Sequence, residues 1–224
     1  MITPGKNHMT LKAFKLELER HRGNALHILD VSCDMSPAFI KGIGKFLPNA
    51  KITFDKFHII KLINEAVDKT RRADAKLHPK ILKGCRYIFL KNAQNLSILQ
   101  ENKKLELKDL NLNAMKALQM REAFQAIYIA ETAEDFVALL QEWHEWVSNC
   151  DIEPMVQVAK MIKAHWDGIL RWKETQINNG ILEGLNSVIQ AAKRKARGYG
   201  QDHFITIAYL ITGKLNYGKI NRHY

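Results

Sequence analysis

The sequence predicts an α/β chain that is mostly helical, and three observations predict it. Residues 1–72 alternate helix, strand, helix, strand, helix, the order of a parallel strand pair joined by a crossover helix. From about residue 56 to 173, apolar residues recur at helical spacing almost without a break. The 224 residues are 46% hydrophobic, enough for a sizeable core.

The elements follow in order. Residues 11–22 carry Leu11, Phe14 and Leu18 on one helical face, and Gly23-Asn24 stops that helix. "ALHILDVS" (25–32) is a short apolar run with Ile28, Leu29 and Val31, the length of a buried strand. Residues 36–47 predict a second helix, started by Ser36-Pro37, where proline is welcome in the first turn, and broken at Pro48-Asn49. "AKITF" (50–54) predicts a second strand, and Asp55 opens a long helix. Four apolar stripes continue it: Ile59, Ile60, Ile63, Ala66 and Val67; Ile81, Leu82, Cys85, Ile88 and Phe89; Phe136, Leu139, Leu140, Trp143 and Val147; and Val158, Ile162, His165, Ile169 and Trp172. Stripes of this kind are core, so the tryptophans read as packing and His165 as a buried structural histidine.

Cys33, Cys85 and Cys150 are far apart and odd in number, which points to neither a disulfide framework nor a zinc site. The N-terminus "MITPGKNHMTLKAFKLE" has no apolar stretch of signal-peptide length, and no apolar run is long enough to span a membrane. A cytoplasmic protein is expected. Net charge is +11. From Ser187 to Tyr224 the bases are Lys193, Arg194, Lys195, Arg197, Lys214, Lys219 and Arg222, against the single acid Asp202. Such a field suits a polyanion, nucleic acid first, or simply a soluble basic surface.

Three carboxylates stand where function collects or helices begin. Asp34, in "VSCDMS", follows a strand, where parallel sheets gather functional groups. It reads as a metal-ligand carboxylate or as a helix cap, a job that Ser36 could also do. Asp55, in "FDKFH", is a preferred N-cap, with His58 one turn on. The pair reads as a cap, or as support beside a site. Glu183 sits in the first turn of a helix after Asn178-Asn179-Gly180, where a carboxylate contributes about 0.3–1 kcal/mol through the helix dipole. Along that helix Glu183, Asn186, Gln190, Lys193 and Arg197 share one face, spaced three and four apart. Leu185, Val188, Ile189, Ala192 and Ala196 form the opposite face, expected to be core. An acid that leads through amides to bases could hold a metal at one end and a phosphodiester strand along the rest.

With these segments in view, "VSCDMSPAFIKGIGKFLPNAKITFDKFHIIKLINEAVDKTRR" (31–72) and "NNGILEGLNSVIQAAKRKARGYG" (178–200) resemble the catalytic core and closing segment of bacterial insertion-sequence transposases of the ISL-three type. The resemblance covers roughly residues 10–215. It implies a DDE recombinase: an RNase-H-like sheet whose two aspartates and one glutamate hold two Mg²⁺ (or Mn²⁺) ions for DNA cleavage and strand transfer. Asp34 matches the second aspartate and Glu183 the glutamate, so both are expected to be catalytic metal ligands. Asp55 and His58 match a segment expected to support the site, and Asn186, Gln190, Lys193, Arg194 and Arg197 are expected to meet DNA, the transposon ends.

The family's first aspartate lies on an upstream strand, for which the residues before Asp34 leave no room. The expectation is therefore a partial RNase-H-like core at 1–72, a large all-helical insertion at 73–175 and a basic closing helix in 176–224. The chain reads as the C-terminal portion of such a transposase, inactive alone, and either paired with the missing N-terminal half or a homo-oligomer. The alternatives are a non-catalytic DNA-binding or regulatory remnant and a purely helical interaction module.

Overall fold

The computed structural model describes residues 7–177, 180–195 and 200–212. In chain order they form α1 (Met9–Arg20), β1 (Asp30–Cys33), α2 (Pro37–Phe46), β2 (Lys51–Phe54), α3 (Lys56–Leu77), α4 (Arg86–Leu90), α5 (Ile98–Lys108), α6 (Asn113–Ile127), α7 (Ala133–Ser148), α8 (Glu153–Ala164), α9 (Trp166–Thr175), α10 (Gly180–Lys195) and α11 (Gln201–Thr212). The fold is mostly helical around one small parallel sheet, as the strand–helix–strand alternation predicts.

β1 and β2 pair in parallel, with Asp30 opposite Lys51 and Cys33 opposite Phe54. The Lys51 amide donates to the Leu29 carbonyl (2.9 Å) and the Asp55 amide to the Cys33 carbonyl (3.1 Å). In a parallel ladder alternate residues point their backbone groups at the partner. The groups of Asp30 and Ser32 therefore face the far edge of β1, and those of Ile52 and Phe54 the far edge of β2. The first strand is shorter than the sequence suggests. Asn24 caps a 3₁₀ turn at Ala25–His27, accepting from the Leu26 amide, and this turn takes up the first half of the apolar run.

α9 closes over β2. A Cβ on Gly168 would lie 2.5 Å from the Phe54 ring and 3.2 Å from the Ile52 carbonyl, so only glycine lets the helix this close. Farther along α9, Arg171 pairs with Asp30, and the Thr175 and Thr53 hydroxyls are 3.3 Å apart. The expected helix through His165 is two helices. The backbone turns at His165, whose ring Nδ1 meets the Met161 carbonyl at 2.8 Å and satisfies an acceptor that the broken turn releases. The ring then packs edge-on to Phe54, centroids 5.0 Å apart. His165 is half-buried.

Two apolar clusters meet at the sheet. A small one sets Ile43 and Leu47 of the α2 region against Leu11, Phe14 and Leu18 of α1. A large one centres on Ile59, Ile63 and Val67 of α3, packed on α6 and α8. Cys33 and Ile52 border both. Two buried polar groups organise the helices. Arg121 of α6, 1% exposed, donates to the carbonyls of Phe89 (2.8 Å) and Lys91 (2.9 Å) at the end of α4. Asp74 of α3 accepts from the Ala114 amide (2.7 Å) and caps α6 from another helix, because Leu112 offers no side-chain cap.

Three of the expected core positions differ. Leu139 is exposed, and so are Leu185 and Val188 on α10, at 37% and 49%. α10 packs against α11, and that contact leaves part of its apolar face uncovered.

Candidate active site at the strand ends

Parallel strands end on the same side, and here each ends on an aspartate. Asp34 and Asp55 stand one step beyond the Cys33–Phe54 pair, and the Asp55-to-Cys33 backbone bond holds them side by side. Their environments differ sharply. Asp55 is 5% exposed and caps α3, its Oδ1 accepting from the Phe57 amide at 3.2 Å. Asp34 is half-buried: its Oδ1 accepts from the Ser36 amide (3.1 Å), which fixes the turn into α2, while its Oδ2 lies on the side of His58. Ser36 is the N-cap residue of α2 and makes no side-chain cap bond, so Asp34 does the local work that the sequence assigns to Ser36.

His58, in the first turn of α3, turns towards Asp34. The sequence suggests that it faces Asp55. Its Nε2 lies 3.8 Å from Asp34 Oδ2, with the two side chains 41% and 34% exposed. That separation makes an ion pair when the ring is protonated and is too long for a hydrogen bond. Burial, with the Asp34 charge as a smaller cause, pushes the Cys33 thiol up to about 11. Burial, with the Asp55 charge next, raises the Tyr128 phenol, whose hydroxyl has no hydrogen-bond partner among the described residues. The strand ends thus carry one half-buried carboxylate, one buried carboxylate and an imidazole. Among the described residues no group of three or more His, Cys, Asp or Glu side chains is placed to hold a metal ion.

The other expected site residues lie on α10. Glu183 and Asn186 are on this helix, with side chains outside the described residues, and Arg197 lies outside them altogether. Gln190, Lys193 and Arg194 are exposed, with Lys193 Nζ 5.7 Å from the centre of the Phe204 ring on α11. A cleft of about 1050 Å³ runs beside β2 between Ile40, His165, Trp166 and Arg171, and neither Asp34, Asp55 nor His58 lines it.

Sequence reading missed Lys56. Its Nζ lies 4.7 Å from the centre of the Tyr128 ring and 5.4 Å from that of Trp172. The available signal was the "DKFH" run itself, which puts a base between the cap and the histidine.

No helix of the described residues is long and apolar enough to cross a membrane. Comparison with known proteins gives a consistent result. A family model of the DDE, ISL3 type, described as transposase, matches residues 1–208. The transposase for insertion sequence element IS1001 of Bordetella parapertussis is 28% identical over 212 residues, covering 91% of this chain and 52% of the relative. The transposase for insertion sequence element IS1557 of Mycobacterium tuberculosis is 25% identical, covering 93% of this chain and 52% of the relative. The chain thus spans about half the length of these curated relatives. No solved structure matches it.

Proposed function

The chain belongs to the ISL3-type family of insertion-sequence transposases, and on that premise we propose that it carries part of a DDE catalytic centre for DNA cleavage and strand transfer. Asp34 and Glu183 are its metal ligands, and Asp55 and His58 are the groups that position Asp34. The observation that carries this reading is the pair of parallel strands ending on Asp34 and Asp55, with His58 turned to the second oxygen of Asp34.

Two divalent ions about 3.5–4 Å apart activate the attacking oxygen and steady the leaving oxygen of a phosphodiester. Mg²⁺ or Mn²⁺ suits such a site because each takes oxygen ligands. The described residues alone do not fit that pair of ions. Asp34 offers one carboxylate oxygen beyond its bond to Ser36, a single ligand, and Asp55 caps α3. The chain's own part is therefore positional. The Ser36 amide fixes one oxygen of Asp34, His58 stands beside the other, and the Asp55 cap anchors the helix that carries His58.

An RNase-H-like arrangement completes the reading. The far edge of β1, where the backbone groups of Asp30 and Ser32 point, has no strand beside it among the described residues. It is the place for pairing with further sheet, from another segment or a second copy. Gln190, Lys193, Arg194 and Arg197 supply the DNA-facing row, with Asn186 between them and Glu183.

A nicking and strand-transfer assay with Mg²⁺ on DNA bearing the ends of the element tests the reading. The chain alone is expected to give little product. Robust product that Glu183→Gln abolishes would overturn the expected inactivity and keep the site; robust product insensitive to Asp34→Asn and Glu183→Gln would remove the site.

The second reading is a non-catalytic DNA-binding or regulatory product, favoured by the exposure of Gln190, Lys193 and Arg194. It predicts salt-sensitive DNA binding that Arg197→Ala weakens and Asp34→Asn barely changes, with no product under any metal.

A further inference from the structure

Lys56 occupies an unusual position for an ammonium. Tyr128 at the end of α6 and Trp172 of α9 meet nearly edge to face, centroids 4.7 Å apart and planes at 78°. Together they form a two-walled corner, and Phe136 packs behind both rings. The lysine reaches into this corner from the first position of α3. Ring faces attract a cation without neutralising it, the more so the more the site is desolvated. No ion pair or hydrogen bond to a described residue uses its N–H donors. Burial holds its pKa below the ordinary lysine value. The side chain is half-buried, with its ammonium against the two rings.

A surface lysine normally keeps its rotamer freedom, and immobilising it costs side-chain entropy. Here the fold has already met that cost. The result is a fixed, partly dehydrated positive charge whose donors are unspent. It follows Asp55 directly in the chain, and the Asp55-to-Cys33 bond places that turn against the turn holding Asp34.

Resting on the reading of the strand ends as a phosphodiester site, we propose that Lys56 is a pre-positioned contact for a DNA backbone phosphate. It would grip the strand presented to Asp34. Because the charge is already ordered, the contact requires little further loss of freedom and holds a backbone without regard to base sequence.

The test is the salt dependence of DNA binding by the full chain, read by fluorescence anisotropy with a labelled duplex of arbitrary sequence and no divalent metal. Each phosphate contact contributes about 0.9 to the slope of log K against log salt concentration on B-DNA. Lys56→Met keeps an unbranched stem on the rings and removes the charge. It is expected to lower that slope by about 0.9 with the thermal unfolding midpoint unchanged. Lys56→Gln gives the same readout with a polar stem, should the methionine variant fail to fold, and Lys56→Arg is expected to keep the wild-type slope. Lys12→Met, at an exposed position on α1, is expected to leave it unchanged. A wild-type chain with no salt-sensitive binding overturns the proposed function and this contact with it. Salt-sensitive wild-type binding whose slope survives Lys56→Met or Lys56→Gln overturns the Lys56 contact alone. Loss of thermal stability without a change of slope would make Lys56 a lid on the aromatic corner, which also overturns it.

Discussion

The same substitution at two helical glycines should have opposite signs. At Gly168 an added methyl would stand 2.5 Å from two carbons of the Phe54 ring, where carbon atoms normally approach to about 3.5–4.0 Å. The ring is hemmed in, since His165 packs edge-on to it at 5.0 Å. α9 must therefore lift from β2 by roughly 1 Å, an overpacking that costs about 1–3 kcal/mol. Replacing glycine within a helix returns at most about 1 kcal/mol, so Gly168→Ala should lower stability by about 1–2 kcal/mol. At Gly184 no described atom lies within 4 Å of the added methyl. There only the propensity term acts, and Gly184→Ala should be neutral or stabilising by up to about 1 kcal/mol. In a chain of this size 1 kcal/mol moves the midpoint by about 2–4 °C, so thermal unfolding by circular dichroism resolves the two. Equal shifts of the same sign, or a stabilised Gly168→Ala, would refute the argument that α9 is seated on β2 by close approach.

Other outcomes follow from the buried polar groups. Arg121→Met strands the Phe89 and Lys91 carbonyls; at about 1–3 kcal/mol per unsatisfied buried acceptor, less what is recovered by no longer burying a guanidinium, urea unfolding should report a loss of about 2–4 kcal/mol. Asp74→Ala removes the side-chain cap at the start of α6 and should cost about 1–2 kcal/mol by the same measurement, whereas Asp74→Asn, which keeps an acceptor, should cost less than half of that. For Tyr128 the sign is set by its raised folded pKa. The native state keeps the proton when the unfolded chain has released it, so stability should fall as pH rises above about 10, the ordinary phenol value. In Tyr128→Phe that part of the alkaline loss should disappear, as followed by midpoint against pH.

The local features of the fold were legible because local signals set them. Ser36-Pro37 starts α2, Asp55 caps α3, and the two short apolar runs mark the strands at positions that put Asp34 and Asp55 at their ends. The differences have two sources, local caps that apolar spacing overlooks and groups that meet only in the fold. Leu26 and Leu29 look like strand residues, but the Asn24 cap folds the first half of that run into a turn and leaves both leucines exposed. His165 lies on an unbroken apolar stripe, yet its ring bonds its own helix's carbonyl and ends that helix. His58 stands close to Asp55 in sequence, and only the strand pairing also brings it Asp34. The Lys56 corner is invisible in sequence because its two rings come from separate helices far down the chain. The apolar face of α10 was read as core from amphipathic spacing alone. Spacing says that a face wants burial and not that this chain supplies the partner.

The seating of α9 also bears on the order in which the chain can mature during synthesis. β1, α2 and β2 leave the ribosome early, but the residues that lock them come much later: Thr175 lies 122 positions after Thr53, and Arg171 lies 141 after Asp30. Until α9 has emerged, β2 has no cover on its far edge, and a lone two-stranded sheet is marginal in water. The helices from α3 to α8 can collapse first, since their contacts are nearer in sequence. The two turns bearing Asp34 and Asp55-Lys56 thus acquire their final shape only when nearly all of the folded helices exist. A ribosome stalled before residue 166 should display a nascent chain whose strand ends are still open to protease, and release past residue 175 should close them.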